Sequence, residues 1–338
     1  MTLGWRGALG IVLSALLLWW TLHDVDLRTV LGVLARSSVP LWLGCTVAAT
    51  AIFPLRARRW EALLTPIAGR LPFSPLWQST AVGMMVNNVV PARAGEFARA
   101  FVLSRAEPTV KFTAAFASLA VDRLFDGTVV LLLMLAATLD PAFPSGRLIG
   151  GYPLAFYMRP AAIFLLAVLI VLALIVWSPA RVYAVYDGVM GRVAPKVAPR
   201  GRLLLDGFAS GLHVLRSPKL VAEVFAWTVL HWLCNAFAFW LGFKALGITA
   251  PASAALLLQG LIAIGVALPA SPGFFGLFEA FGKAGLGLYG IADEQAVSWA
   301  IGFHILSYIP ITVMGGWYLS KLHLHLKDFR GGGAAAAP

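Results

Sequence analysis

Residues 157–177 read YMRPAAIFLLAVLIVLALIVW, and from position 160 to position 177 no charged side chain interrupts the run. A helix needs about 20 mostly apolar residues to cross a bilayer, and this stretch supplies them with nothing left over for a polar face. Four further stretches read the same way: 7–22, 39–55, 222–242 and 295–320. A sixth, 113–139, is as apolar but carries Asp122, Arg123 and Asp126 near its start. The whole chain agrees with these pieces. Of its 338 residues 60% are hydrophobic and 12% charged, where a soluble domain has about 45–50% and about 25%. One globule of this length cannot bury that excess, so lipid must be the solvent for much of it. The expected fold is an all-α polytopic membrane protein with about six full spans.

Two apolar regions are broken. Region 74–105 is interrupted at Asn87-Asn88 and at Pro91-Ala92-Arg93-Ala94-Gly95; region 253–290 is interrupted at Pro269-Ala270-Ser271-Pro272-Gly273. Lysine and arginine fix which side each faces. The segment 56–70 holds Arg56, Arg58, Arg59 and Arg70, the segment 178–221 is richer still, and Lys321, Lys327 and Arg330 follow the last apolar run. Intervening loops hold only Arg28 and Arg36, Arg147 and Arg159, or Lys244. The positive-inside rule places the rich segments and both termini in the cytoplasm of a cell inner (plasma) membrane protein. By parity, 74–105 then enters and leaves from the cytoplasmic side, and 253–290 from the outer side. Each is a re-entrant helical hairpin or a pair of short spans. The shared pattern P-A-x-x-G, each copy followed by an acid, Glu96 or Glu279, is what inverted-topology repeats produce. Ordinary proline and glycine kinks produce such a rhyme too.

Residues 1–330 read as one integral membrane domain, with a retained first span and a low-complexity tail, 331–338, expected to be disordered. Within 178–221, apolar positions such as Val182, Val185 and Val189, then Leu203, Phe208 and Leu212, suit amphipathic helices lying on the inner leaflet. The net charge of +11 sits in short loops between apolar runs, which argues against nucleic acid and for an anionic leaflet. Cys45 and Cys234 both fall inside apolar runs, without disulfide or metal-type spacing. No G-x-S-x-G, H-E-x-x-H or Walker loop occurs.

Ionisable groups at membrane depth cost about 2.5–3.5 kcal/mol each on insertion scales and need partners. The first cluster is Arg93, Glu96, Arg99, Asp122, Arg123 and Asp126. Asp122 and Asp126 share a helix face at i,i+4 and would repel unless a cation joined them; Arg93 or Arg99 is the expected one. A guanidinium left over would suit a phosphate, which it binds in bidentate fashion. Asn87 and Asn88 can cap backbone groups freed at the break, with Pro91 and Gly95 shaping it. In the second cluster, Pro269, Pro272, Gly273 and Gly276 shape the break. Glu279 and Lys283, at i,i+4, are expected to pair, and the half-helix beginning near Gly273 to offer an anion its N-terminus. His231 and His304 fit helix–helix hydrogen bonding better than metal ligation. No metal or cofactor is expected.

Three motifs in order, Asn88-x-x-Pro91-Ala92-Arg93-Ala94-Gly95-Glu96-x-x-Arg99, Asp122-Arg123-x-x-Asp126 and Pro272-Gly273-x-x-Gly276-x-x-Glu279, make the chain similar to the lysylphosphatidylglycerol synthase transmembrane family, also called the flippase-like domain family, over about residues 7–325. The resemblance implies a membrane domain that moves lipids across the bilayer, with the matching positions as its site. It departs from the two-domain form, since nothing after residue 330 could be the soluble aminoacyl-transferase domain, so lysyl transfer is not expected. The expected function is translocation, not catalysis, of a phospholipid or polyprenyl-linked lipid. The expected partners are membrane lipids, anionic or polyprenyl-phosphate in type, and a separately encoded glycosyltransferase or lipid synthase. Two alternatives stand beside it. One is an accessory subunit of a lipid or glycan pathway; the other is a transferase in which Asp122 and Asp126 form half of a Mg²⁺-diphosphate site.

Overall fold

A computed structural model describes residues 5–90, 94–149, 151–195, 197–199, 201–202, 212–266 and 271–329. Its described residues form twelve α-helices: α1 (Trp5–Leu22), α2 (Leu27–Ala35), α3 (Val39–Ala68), α4 (Phe73–Val89), α5 (Gly95–Ala106), α6 (Phe112–Ala137), α7 (Leu154–Trp177), α8 (Pro179–Val193), α9 (Pro218–Ala245), α10 (Ala252–Gly265), α11 (Leu277–Leu288) and α12 (Asp293–Lys321). The one sheet among them is a two-residue hairpin pairing Leu148 with Pro153 and Ile149 with Tyr152.

Helix starts follow local chemistry. Asp26 caps α2, accepting from the Arg28 N–H at 3.0 Å and the Thr29 hydroxyl at 2.7 Å, and Ser217 caps α9 with Pro218 in its first turn, where the missing proline N–H costs nothing. Segments Val39–Ala68, Leu154–Val171, Pro218–Ala245 and Asp293–Lys321 are long and apolar enough to cross a membrane. The first apolar run belongs with them only as a bent pair, Gly10–Leu22 and Leu27–Ala35, at 81°. Among the described residues four spans, or five with that pair, thus meet the requirement of length and composition against the expected six or so; α6 carries three charges along its middle and α1 turns sharply into α2.

The larger correction concerns α3. Its expected end at 55, just past Pro54, does not hold: the helix continues through Pro54 and Pro66 to Ala68. A proline inside a helix removes one backbone hydrogen bond, and within a packed bundle neighbouring helices make that tolerable. Arg56, Arg58 and Arg59, read above as loop residues, are thus helical, and Arg56 and Arg59 are buried.

α3 lies antiparallel along α9. The Ser38 N–H donates to the Ala245 carbonyl at 2.8 Å, the Cys45 thiol to Ala238 at 3.2 Å, and the Cys234 thiol to Ala48 at 3.4 Å. Other packed pairs keep their pattern when α3–α6 is exchanged for α9–α12. α4 packs on α12 as α10 packs on α6, α4 on α5 as α10 on α11, and α5 on α6 as α11 on α12. One large apolar core, around Trp42, Phe239, Phe243 and Trp299, fills one end of the bundle. A second, around Trp60, Leu63, Leu76 and Leu103, fills the other. Of the expected amphipathic segment, α8 is largely exposed and a 3₁₀ turn, Leu212–Arg216, leads into α9; Leu203, Leu204, Leu205 and Phe208 lie outside the described residues, as does the tail 331–338.

Candidate functional site

The first break is built around two glycines. α4 and α5 fold back on each other so closely that a Cβ on Gly83 would stand 2.8 Å from the Gly95 carbonyl oxygen and 2.8 Å from the Arg99 Cβ. Asn87 spans the break, accepting the Gly95 N–H at 2.8 Å. Asn88 donates instead to Thr312 on α12 at 2.7 Å. Pro91 and Arg93 lie outside the described residues.

This fold-back swings α5 against α6 and delivers Arg99 to Asp122 and Glu96 to Arg123 of that helix. The cation that joins Asp122 to Asp126 is Arg59 of α3, not a hairpin arginine. Its guanidinium lies 2.6 Å from Asp122 and grips both oxygens of Asp126 at 2.5 and 3.2 Å. Arg99, fully buried, reaches Asp122 at 3.5 Å and stacks 4.1 Å over the Trp60 ring. Arg56 stands 3.8 Å from Asp122 and 3.9 Å from Asp126. Trp232 of α9 donates to Asp126 at 2.9 Å. At the rim Arg123 pairs with Glu96 and, at 3.2 Å, with Asp126; its side chain is 44% exposed, so the lattice opens on that side. At about 1.5 Å per residue, Arg59, Asp122 and Thr228 each sit about 14–15 Å along their helices from the ends at Ala68, Phe112 and Pro218. Those ends share one face, because Ala68, Phe112 and Leu220 pack against one core and Arg70 just beyond α3 pairs with Glu223 of α9. The lattice therefore lies deep inside that end of the bundle.

Four guanidiniums, Arg56, Arg59, Arg99 and Arg123, meet three carboxylates, Glu96, Asp122 and Asp126. Unmet hydrogen bonds collect here on both sides, with donors in excess. Among the described residues Arg56 Nε and Nη2, Arg59 Nε and Arg99 Nε are buried without a hydrogen-bond partner, and so are the acceptors Glu96 Oε2 and Asp122 Oδ1. Buried donors of this kind are rare in proteins, because each unmade bond costs about 1–3 kcal/mol.

The second break differs from expectation in two ways. Glu279 does not pair with Lys283. It lies 2.6 Å from His304 Nδ1 on α12, and its other oxygen accepts the Gly276 N–H at 2.7 Å. The N-terminus of α11, expected to await an anion, is thus occupied by the chain's own carboxylate. Lys283 reaches outward to Asp24 at 2.6 Å and Asp293 at 3.2 Å. The Lys283 hydrogen bond holds the Asp24 carboxyl below the usual carboxylate range. Gly273 and Gly276 have φ of 70° and 85°, the left-handed region that glycine enters freely. Pro272 opens the 3₁₀ turn, while Pro269 lies outside the described residues. A side chain of α1 seats the turn: the Ser14 hydroxyl accepts the Ser271 N–H at 2.9 Å. The two breaks adjoin. The 272–274 turn packs on α4, and the Tyr308 hydroxyl donates to the Asn88 carbonyl at 3.3 Å while its ring lies 5.5 Å from that of Phe275.

Of the residues singled out in the sequence, Glu96, Arg99, Asp122, Arg123 and Asp126 form one lattice, and Glu279 belongs to a separate one. Arg56 and Arg59 were missed as site residues. The only available signal was their helical spacing, which Pro54 disguised. His304, expected to hydrogen-bond between helices, does so, with its partners Glu279 and Gly273 standing 25 and 31 residues away.

The fold and site define a multi-pass α-helical membrane protein with a buried, cation-rich polar centre. More narrowly, the chain belongs to the lysylphosphatidylglycerol synthase TM region family, whose model matches residues 7–315. It is also similar to a protein called glycosyltransferase AglD from Haloferax volcanii, 32% identical over 117 residues, which is 35% of this chain and 19% of that relative. The match thus spans about a fifth of that relative's length.

Proposed function

We propose that this protein carries a lipid with a phosphate-bearing, anionic head group across a cell's plasma membrane, phospholipid or polyprenyl-linked in type, with both termini cytoplasmic. One observation carries the reading: a deep lattice with more guanidiniums than carboxylates, whose Arg56 and Arg99 keep buried N–H groups unpartnered. A phosphate supplies the missing charge and the missing acceptors together. The head group enters past the exposed Arg123–Glu96 rim while its tails stay in lipid. The paired packing of α3–α6 and α9–α12, with α3 antiparallel to α9, supports reading them as two inverted-topology repeats with re-entrant hairpins at α4–α5 and α10–α11. A site where two such breaks adjoin is where transporters of that design hold their cargo.

The experiment is a dithionite-quenching assay in proteoliposomes, comparing fluorescent (NBD-labelled) phosphatidylglycerol with the matching phosphatidylcholine. A charge-assisted hydrogen bond is worth about 1.5–3 kcal/mol, so Arg56→Gln and Arg99→Gln should each slow phosphatidylglycerol movement about 10- to 150-fold. Gel filtration must show both variants folded. Movement equal in wild type, variants and protein-free vesicles defeats the proposal.

The named relative favours a second reading, an accessory membrane subunit beside a separately encoded glycosyltransferase or lipid synthase. Stable co-purification of such an enzyme, with no lipid movement by this chain alone, would select it. The Mg²⁺-transferase alternative finds less support, since Asp122 and Asp126 are both engaged by arginine.

A further inference from the structure

The pairing of Glu279 with His304 holds one proton more than a neutral imidazole facing a carboxylate would supply. His304 Nε2 lies 2.8 Å from the Gly273 carbonyl oxygen, which only accepts, so Nε2 carries a hydrogen. His304 Nδ1 lies 2.6 Å from Glu279 Oε1, and the other carboxyl oxygen already accepts the Gly276 N–H. A second proton must sit between Nδ1 and Oε1, whichever atom owns it. Without it, a carboxylate would face a nitrogen lone pair at hydrogen-bond distance inside a buried site.

The surroundings tie that proton to the backbone. Both side chains are buried, and the imidazole is flanked by the rings of Phe275, at 4.5 Å, and Phe278, at 4.7 Å. His304 holds the turn through the Gly273 carbonyl and Glu279 holds it through the Gly276 N–H, so the pair clamps both ends of the segment 273–276. One residue of that segment is wound against its preference: Phe274, a residue with a side chain, is left-handed at φ 62° between the freely left-handed Gly273 and Gly276. A backbone of this kind persists only while its surroundings impose it. Loss of the bridging proton forces Nδ1 and Oε1 apart, and with them one of the two clamps. Other titratable or charged groups facing the pair are Tyr308 on α12, with its ring centroid 6.4 Å from the imidazole, and Lys283 one turn along α11, already engaged by Asp24 and Asp293. From α1 the Ser14 hydroxyl meets the turn, and from α4 the Asn88 backbone carbonyl meets it through Tyr308; neither titrates.

From this geometry we infer that the Glu279–His304 pair is a proton-binding site whose occupancy sets the shape of the 273–276 turn, and through which lipid movement is coupled to a proton gradient. The coupling half of the inference rests on the lipid-translocation reading above. Linkage makes it reciprocal: a turn that opens during transport must give up its proton, and an imposed proton gradient must bias the turn.

Two measurements test it. In the first, ¹⁵N-histidine NMR of the full chain in nanodiscs follows the His304 ring, assigned by its absence in His304→Gln. Wild type should show Nε2 protonated and Nδ1 sharing a proton with Glu279. Glu279→Gln, which can donate to Nδ1 and still accept from Gly276, should convert the ring to an ordinary neutral imidazole. A wild-type His304 that shows an ordinary neutral imidazole, with a spectrum unchanged by Glu279→Gln, overturns the site. In the second, vesicles containing pyranine and NBD-phosphatidylglycerol receive an imposed pH step. Wild type should change its lipid rate by at least about fivefold with the step, with matching proton flux, and both variants should lose that dependence. Lipid movement in wild type that ignores the step, with no proton flux, overturns the coupling while leaving lipid translocation standing. Absence of any lipid movement in wild type, with the shared proton still seen by NMR, overturns the lipid reading and the coupling with it.

Discussion

Removing the guanidinium of Arg59 should be among the most damaging single changes available in this chain. Arg59 is fully buried and touches Asp122 and Asp126 through three contacts of 2.5 to 3.2 Å. In Arg59→Met those carboxylates lose their nearest cation. Of the remaining ones, Arg99 and Arg56 stand 3.5 to 3.9 Å away, too far for good charge-assisted bonds, while Asp126 keeps Arg123 at 3.2 Å and Trp232 at 2.9 Å, so Asp122 is the acid left stranded. Breaking a buried pair by removing one member costs about 3–5 kcal/mol, more than a hundredfold in the folded fraction. Arg58 is the control: it sits on the same helix with a side chain 47% exposed, bonded to Glu61 at 3.1 Å, so Arg58→Met should cost about 0–1 kcal/mol. Stability can be read by unfolding in mixed micelles of a mild detergent and SDS. The double variant Arg59→Met/Asp122→Leu should regain part of the loss, since the stranded charge has gone with its partner. If Arg59→Met costs no more than Arg58→Met, or if the double variant is simply additive, the lattice is not the electrostatic unit described.

Three further outcomes follow from the geometry. Gly83→Val drives a side chain into the Gly95 carbonyl and the Arg99 Cβ, and should cost at least the about 1–3 kcal/mol of overpacking; Ala at Gly32, where nothing lies within 4 Å, serves as control in a heated gel-filtration assay. Tyr308→Phe removes the hydroxyl that links the two breaks and should cost about 0.5–1.5 kcal/mol, together with faster hydrogen exchange of amides in the 271–276 turn. The third concerns pH. The Asp24 carboxyl has its folded-state value depressed below 3.8 by Lys283, so its contribution is complete at pH values above 3.8 and fades as the pH falls through the lowered value. Wild type should therefore exceed Asp24→Asn in thermal stability at neutral pH and converge on it in strong acid; a gap that widens on acidification would reverse the assigned sign.

Much of the fold was legible because hydropathy is a local property: runs such as 161–177 declare themselves residue by residue. The acids of the site were legible for a similar reason. Asp122 and Asp126 share one helix face, and two buried carboxylates demand a cation somewhere. Which cation answers is a matter of tertiary contact, and Arg59 lies 67 residues from Asp126. Local rules also pointed the wrong way there, since Pro54 followed by three arginines reads as the cytoplasmic end of a span, and α3 overrides it by packing along α9. Glu279 and Lys283 failed likewise. Their i,i+4 spacing permits a pair, but His304 on one side and Asp24 on the other offer each a partner at 2.6 Å. Spacing along a helix states which contacts are possible; the neighbouring helices choose among them.

The seating of the 271–276 turn on α1 gives the amino-terminal helix a mechanical standing that its sequence does not advertise. Ser14 holds the turn at Ser271, and the Thr21 carbonyl accepts from Lys283 at 3.3 Å, so two points about two helical turns apart bind α1 to the second hairpin. Any excursion of that hairpin drags α1 with it. A dye or tag attached near the amino end is accordingly a remote gauge of the turn, and a bulky fusion placed there acts as a brake.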